Sequence, residues 1–198
     1  MNIMYPVLIL AAGTSYRMGE MKPFVRLSNG ITLLEHLLFQ YQTTNAGKIT
    51  IVLNSDGFHH LKKNYSDLEK NLNIVVNVNP AFGRMESVRM GIKNITSEGL
   101  FVQNIDNPFV NREIIENMSN LLQENSYVVP VYKDKGGHPV LLCKSILNDL
   151  ASASIPDIDF KVFLGNYSRI NYICDRSEIL YNLNTPEDLL QYDNNIGR

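Results

Sequence analysis

Apolar residues in the first part of this chain follow two alternating patterns. Short continuous runs rich in β-branched residues predict buried strands at 5–10, 48–53, 73–78, 99–106 and 127–132. Apolar positions three or four residues apart predict the helices between them, at 32–41, 56–70, 86–94 and 111–122. Strands that alternate with helices are typical of a parallel sheet covered by helices on both faces. We therefore expect an α/β fold with right-handed crossover connections.

The remainder of the chain is less regular. The pattern predicts a turn at 133–137, a short strand at 139–143, helices at 145–153 and 159–164, and strands at 170–174 and 179–183. Pro186 suits the first position of a last helix, because the N–H that proline lacks has no helical partner there. No repeat, low-complexity segment or linker divides the sequence. We expect residues 1–198 to form a single domain.

The loop after the first strand is a candidate anion site. It begins with Leu10 and the small residues Ala11, Ala12, Gly13 and Ser15, which let a ligand approach the backbone N–H groups. Two cations follow, Arg17 and Lys22. The loop is not a Walker loop, and it lacks the Gly-x-Gly-x-x-Gly of dinucleotide-binding folds. Spacing alone leaves two interpretations open, a polyphosphate site and a loop with two solvated cations.

Three further stretches follow predicted strands or lie near the end of the chain, at 82–88, 106–108 and 182–188. Ligands of open α/β sheets bind beyond the carboxyl ends of the strands, so we expect all four stretches to meet in one crevice. Asp106 suits Mg²⁺, which takes one or two protein oxygens and leaves its other positions to water and phosphate. Asn184 and Asn182 are candidates for a second oxygen ligand. Each stretch also has an ordinary structural interpretation, as an Asx turn or a helix start.

Three other polar residues are candidates with weaker support. Ser87, at the start of a predicted helix, is placed to hold a base or a phosphate, or simply to begin the helix. His138 lies between two glycines and Pro139, so we expect it to be exposed, and a lone histidine is more often structural than catalytic. Lys161 reads as a surface residue from its local sequence alone.

Composition limits the function classes. The chain has 198 residues, a net charge of −2 and a pI near 6.1, without the basic surplus of a general nucleic-acid binder. No apolar stretch approaches the roughly 20 residues of a membrane helix, and residues 1–5 lead into the first strand without a basic segment. We expect a soluble cytoplasmic protein that binds neither nucleic acid nor membrane.

Taken together, five stretches resemble the MobA-like NTP transferase family, in the family's order. They are LAAGTSYRMGEMK at 10–22, RMESVRMG at 84–91, DNP at 106–108, GHPVLL at 137–142 and NTPEDL at 184–189. The resemblance implies a Rossmann-like, three-layer α/β/α nucleotidyltransferase fold with a mostly parallel sheet. It also implies Mg²⁺-dependent transfer of a nucleoside monophosphate from an NTP to a phosphorylated acceptor, with release of pyrophosphate.

The resemblance also implies roles for individual residues. Catalysis is assigned to Arg17, Lys22 and Asp106, and the metal to Asp106 with Asn184 and Asn182. His138 and, more loosely, Lys161 are assigned to the acceptor. The nucleotide is assigned to residues that line the base, ribose and phosphates: Leu10, Ala11, Ala12, Gly13, Ser15, Arg17, Lys22, Arg84 and Ser87.

Within the family, the chain is most similar to the molybdenum cofactor cytidylyltransferases. Ala12 and the GHPVLL stretch resemble that branch, which implies CTP and a pterin-type acceptor, with transient contact with a molybdoenzyme. Asn184 departs from it, because many cytidylyl members have Asp there and the guanylyl branch has Asn. The alternatives are a guanylyltransferase of the same cofactor, a transferase for another phosphorylated small molecule, and a non-catalytic protein that delivers the cofactor.

Overall fold

The fold is built on one mixed, mostly parallel sheet. A computed structural model describes residues 4–14, 19–70, 72–153 and 158–196. The strands within these ranges are β1 (Val7–Ala11), β2 (Ile49–Asn54), β3 (Asn73–Asn77), β4 (Gly99–Asn104), β5 (Ser126–Tyr132), β6 (Lys135–Gly136), β7 (Val140–Cys143) and β8 (Ser168–Ile173). They pair in the order β3-β2-β1-β4-β7-β5-β6, and β8 pairs with β5.

Helices connect the strands. The α-helices are α1 (Leu33–Gln42), α2 (Ser55–Asn64), α3 (Ser66–Lys70), α4 (Gly83–Ile92), α5 (Arg112–Leu121), α6 (Lys144–Ser152), α7 (Phe160–Leu164) and α8 (Pro186–Ile196). Short 3₁₀ helices cover Lys22–Phe24, Pro80–Phe82 and Ser177–Leu180. In the described part of the chain, no helix combines the length and apolar character needed to cross a membrane.

Strand direction determines which residues reach the carboxyl edge of the sheet. β1 pairs in parallel with β2 and β4, so Leu10 lies between Val52 and Asn104. β7 is antiparallel to both of its neighbours, β4 and β5. Because β7 runs the other way, its first residues lie where β4 and β5 end. The segment just before Val140 therefore reaches the same edge as Asn104.

The central strands β1, β2 and β4 are buried on both faces, as a three-layer fold requires. Ile9 of β1 belongs to a core with α1, α5 and α8, whereas its neighbour Leu8 packs with α4, α6 and α7 on the other face. Both side chains are fully buried. Such strands read as continuous apolar runs rather than as alternating patterns, which is why the sequence signals them clearly.

Helix starts agree with the sequence where a capping side chain is present. Thr32 and Glu35 form a reciprocal capping box at the start of α1, and Asn111 caps α5 by accepting from the Ile114 N–H. Pro186 opens α8 as expected. These caps satisfy backbone N–H groups that otherwise have no partner within the helix.

Three predicted elements differ in the structure. The helix expected at 56–70 is two helices that meet at Tyr65, and α4 begins at Gly83 rather than at residue 86. The strand expected at 179–183 is wrong: that segment begins inside the 3₁₀ helix Ser177–Leu180 and crosses the carboxyl edge of the sheet. There it makes single backbone bonds, His138 N to Ile179 O and Leu183 N to Asp106 O, instead of a strand ladder. Its apolar pattern arises because Ile179 and Leu183 are buried under that edge.

Candidate active site

A cavity of about 410 Å³ opens at the carboxyl ends of β1 and β4. All four stretches predicted to converge contribute to its wall. The lining comprises Leu10, Ala11, Ala12, Gly13, Thr14, Lys22, Pro80, Gly83, Arg84, Ser87, Asn104, Ile105, Asp106 and Asn184. Ser15 and Arg17, also predicted here, lie outside the described residues. The expected crevice is therefore present where parallel strands end.

The floor of this cavity carries a tight polar cluster. The Lys22 ammonium lies 2.8 Å from Asp106 Oδ2 and 2.7 Å from Asn184 Oδ1. The pair is mostly buried, with 12% of the Lys22 side chain and 22% of the Asp106 side chain exposed. The three residues are far apart in sequence, so the fold alone brings them together. Two oxygens from different elements thus converge on one cation.

Backbone hydrogen bonds hold Asp106 and Asn184 at this spacing. Ile105 N donates to Leu10 O at 3.1 Å, which attaches the Asp106 turn to the end of β1. Leu183 N donates to Asp106 O at 2.8 Å, which attaches the C-terminal segment to the same turn. Asp188 then accepts from the N–H groups of Asn184 and Thr185, both at 2.9 Å. Those backbone bonds lower the pKa of Asp188, so its carboxylate is a stable cap for α8.

A buried asparagine fixes the small-residue loop. Asn54, at the end of β2, accepts from Gly57 N at 2.7 Å, so its amide nitrogen faces away from α2. That nitrogen donates to the Ala12 carbonyl at 3.2 Å. At Gly13, a Cβ atom would meet nothing within 4 Å, which leaves open space beside the backbone. The loop is therefore held in place and remains accessible to a ligand.

A second asparagine orients Ser87. Asn77 Oδ1 accepts from Asn79 N at 2.8 Å, so its amide nitrogen is the group that donates to Ser87 Oγ, at 2.9 Å. Because that bond uses an oxygen lone pair, the Ser87 hydroxyl keeps its proton available as a donor. Ser87 lines the large cavity and is buried. It can donate to an acceptor atom of a ligand there.

A smaller cavity of about 210 Å³ adjoins the first. It shares Arg84, Asn104 and Asp106 with the large cavity. Its other lining residues are Asn107, Gly136, Gly137, His138, Ile179, Leu180 and Asn182. Asn182, predicted as a metal ligand, therefore lies in the smaller cavity beside Asp106. Two cavities that share one carboxylate can hold two reactants against it.

His138 is in this smaller cavity but is not exposed as expected. The reversed direction of β7 carries it to the sheet edge, where it is partly buried. Burial and, second, the Arg84 guanidinium lower the pKa of His138 to about 4, against the opposing effects of Asp106 and the Val102 carbonyl. Its Nδ1 atom is buried and has no partner of good hydrogen-bonding geometry among the described residues. The ring is therefore neutral at neutral pH.

Lys161 is not brought to the site. It is exposed on α7 and lines neither of the two cavities. Asn104 lines both cavities and Asn107 lines the smaller one, although sequence analysis selected neither residue as a candidate. The sequence signal of Asn104 is a polar amide at the end of its strand, a position that Asn54 and Asn77 share on β2 and β3.

The residues at the cavity floor suit a hard divalent cation. Asp106 Oδ2 and Asn184 Oδ1 already face one positive charge, the Lys22 ammonium, and both are oxygen ligands of the kind that Mg²⁺ prefers. No group of three or more His, Cys, Asp or Glu side chains is placed to hold a metal within the described ranges. A site with one carboxylate and one amide leaves most coordination positions to water or phosphate, as magnesium sites in nucleotide enzymes do.

Comparison with known proteins identifies the family. The family model described as the MobA-like NTP transferase domain matches residues 7–167. Molybdenum cofactor cytidylyltransferase of Escherichia coli is 23% identical, over 92% of each chain. A probable molybdenum cofactor guanylyltransferase of Carboxydothermus hydrogenoformans is 25% identical, over 92% of this chain and 91% of the other.

Solved structures show the same fold. The manganese complex of Rv0371c from Mycobacterium tuberculosis superposes with a TM-score of 0.74 at 17% identity, covering 96% of this chain and 97% of that one. At such low identity the similarity establishes the architecture alone. The mixed α/β sheet is thus the nucleotidyltransferase fold that the sequence motifs imply.

Proposed function

This chain belongs to the family of MobA-like NTP transferase domains and is a nucleotidyltransferase, and on that premise we propose that it transfers CMP from CTP to molybdopterin. An oxygen of the acceptor phosphate forms a bond to the α-phosphorus of CTP. The bond from that phosphorus to the pyrophosphate oxygen breaks, and pyrophosphate leaves. The observation that carries the proposal is the pair of adjoining cavities that share Asp106 and Arg84.

In this proposal the large cavity receives CTP. The backbone from Leu10 to Gly13, together with Ser87, contacts the base and ribose. Lys22, with Arg17 from the same loop and Arg84 opposite, offsets the charge of the triphosphate and of the departing pyrophosphate. The reaction needs no covalent enzyme intermediate, so the protein contributes mainly by positioning and by charge neutralisation.

Magnesium is the proposed metal, held by Asp106 and Asn184 with Asn182 nearby. When bound, it would supply positive charge that stabilises the phosphates during transfer. Family members commonly use divalent metals, and the manganese complex of the Mycobacterium tuberculosis neighbour supports such a site here. Lys22 would then exchange its contacts with Asp106 and Asn184 for contacts with phosphate.

The smaller cavity receives the acceptor. Side-chain amides and the neutral His138 line this cavity, and Arg84 is the cation among its lining residues. This chemistry suits a phosphate attached to a polar, uncharged ring, as in a pterin phosphate. The similarity to the Escherichia coli cytidylyltransferase supports both the acceptor and CTP, and Ala12 supports CTP through the family resemblance.

A guanylyltransferase of the same cofactor is the second candidate, because Asn184 resembles that branch and one relative is named a probable guanylyltransferase. The test is pyrophosphate release with each NTP in turn, in the presence of Mg²⁺ and molybdopterin. We expect release with CTP. Release with GTP but not with CTP would refute the base assignment, and turnover only with a sugar or polyol phosphate would refute the acceptor.

The same assay tests a delivery protein without catalysis. We expect Asp106→Ala to abolish turnover while the purified wild-type protein turns over repeatedly with free CTP. A wild-type protein that binds the cofactor yet releases no pyrophosphate with any NTP would favour delivery instead.

A further inference from the structure

The turn that carries Asp106 is surrounded by side-chain amides that the reaction itself does not use. Gln103 donates to the carbonyls of Asn104 and Asn107, and its own oxygen accepts from Tyr41 OH at 3.0 Å. Asn104, Asn107 and Gln103 are all buried. Buried amides that are hydrogen-bonded hold a structure rigidly, because each lost bond leaves an unpaired polar group.

The orientation of Asn107 follows from a backbone carbonyl. Its amide nitrogen donates to Tyr181 O, and a carbonyl oxygen can only accept. The Asn107 side-chain oxygen must therefore face the other way, towards Asn104. Asn104 Nδ2 donates to that oxygen at 3.1 Å.

The same Asn104 nitrogen lies 3.0 Å from His138 Nε2. Since Nδ2 is a donor with two hydrogens, it gives one to Asn107 and the other to His138. Nε2 must then accept, which places the single proton of the neutral ring on Nδ1.

We propose that Asn107 is a positioning residue that, through Asn104, holds His138 as the neutral Nδ1–H tautomer in the wall of the smaller cavity. The relay begins at Tyr181, beside the Ile179 and Leu180 that line the same cavity. It thus joins both walls of that cavity and fixes their hydrogen-bonding pattern before an acceptor arrives. His138 contributes shape and neutrality there, because Nε2 is occupied and Nδ1 is buried.

The first test needs no substrate and does not depend on the proposed function. Long-range ¹H–¹⁵N NMR of the imidazole nitrogens distinguishes the two neutral tautomers of each histidine, and the His138 signals are assigned by their loss in His138→Gln. We expect the wild-type protein at neutral pH to show the Nδ1–H form. An Nε2–H form or an imidazolium would overturn the proposal.

Two variants test the relay itself. Asn104→Asp replaces the donor by an acceptor, so the proton should move to Nε2 or a second proton should bind. Asn107→Ala frees the Asn104 amide to rotate, so the tautomers should become mixed. The matched control is Asn117→Ala, which removes a similar bond, 3.0 Å to Tyr172 OH, on α5 and away from the cavities. An unchanged His138 tautomer in both relay variants would overturn the proposal.

A kinetic test rests on the proposed function. In Asn107→Ala, we expect KM for molybdopterin to rise about tenfold, the effect of one lost buried hydrogen bond, while KM for CTP stays within about twofold. Equal rises in both KM values would contradict a role limited to the acceptor side. If no NTP supports turnover, the proposed function fails, and the NMR result still decides the relay.

Discussion

Replacing Asp106 by Asn is the sharpest test of the cavity floor. Asn keeps the size of the side chain and one oxygen that can accept from Lys22, so only the charge is removed. At 2.8 Å and an effective dielectric constant of about 20, the gross attraction between Lys22 and Asp106 is about 6 kcal/mol. In the ligand-free protein, the cost of removing both charges from water offsets most of this attraction. The negative charge of Asp106 is not offset in this way when a further positive charge, such as a metal ion, must bind there.

We therefore expect Asp106→Asn to lower the reaction rate much more than the unfolding free energy. An electrostatic group that acts on the developing charge typically contributes about 3 kcal/mol, so the rate should fall a hundredfold to a thousandfold. The unfolding free energy should change by about 1 kcal/mol, because the hydrogen bond to Lys22 remains. Mn²⁺ affinity, measured by electron paramagnetic resonance in the presence of nucleotide, should fall as well.

The assay is single-turnover pyrophosphate release at saturating CTP and Mg²⁺, with urea unfolding measured in parallel. Glu98→Gln is the matched control, because Lys144 and Glu98 pair at 2.6 Å, closer than Lys22 and Asp106. The Lys144 side chain is 52% exposed and that of Glu98 is 73% exposed. Loss of this pair should therefore lower the unfolding free energy by less than about 1 kcal/mol and should not affect the reaction rate. An Asp106→Asn protein that keeps more than about a third of the wild-type rate would refute the reasoning.

Three further predictions concern stability, measured by urea unfolding. Gly137→Ala should cost about 2 kcal/mol because its Cβ would overlap the Ile179 carbonyl, whereas Gly13→Ala should cost nothing; equal effects would contradict this. Thr32→Ala should cost about 1 kcal/mol by removing the capping box of α1, and an unchanged midpoint would show that the cap is dispensable. His138 has a pKa of about 4 in the folded protein and near 6.5 in the unfolded chain, so the unfolded state binds the extra proton first as the pH falls. The unfolding free energy should therefore fall by on the order of 3 kcal/mol between about pH 6.5 and pH 4, and an unchanged value over this range would contradict the low pKa. His36, whose pKa burial lowers despite the opposing charge of Asp193, adds to this fall, so His138→Gln should flatten the pH dependence only in part.

The part of the site built from parallel strands could be predicted from sequence. Strand β1 is a continuous apolar run and β4 begins with one, and the residues after such parallel strands share one edge of the sheet. Lys22, Asp106 and Asn184 meet there, as the convergence of their stretches predicted. The motifs then indicated the family before any geometry was known.

The smaller cavity could not be predicted in the same way. The reversed direction of β7 makes His138 partly buried rather than exposed, and the sequence of a four-residue apolar run does not indicate strand direction. The apolar residues at 179–183 form a short run like that of a strand, yet single backbone bonds to Asp106 and His138 take the place of a strand ladder. Asn104 and Asn107 were missed because their importance comes from which partner each amide faces, and that depends on contacts between distant segments.

The reversed direction of β7 separates the two cavities along the chain more than it does in space. The loop at 10–14 and the Asp106 turn follow forward strands, whereas Gly136, Gly137 and His138 enter the smaller cavity just before a backward one. A change of the hairpin that keeps its register would therefore alter the wall of the smaller cavity and leave the loop at 10–14 unchanged. On the function proposed above, acceptor preference would then change while the contacts to the nucleotide base stay the same.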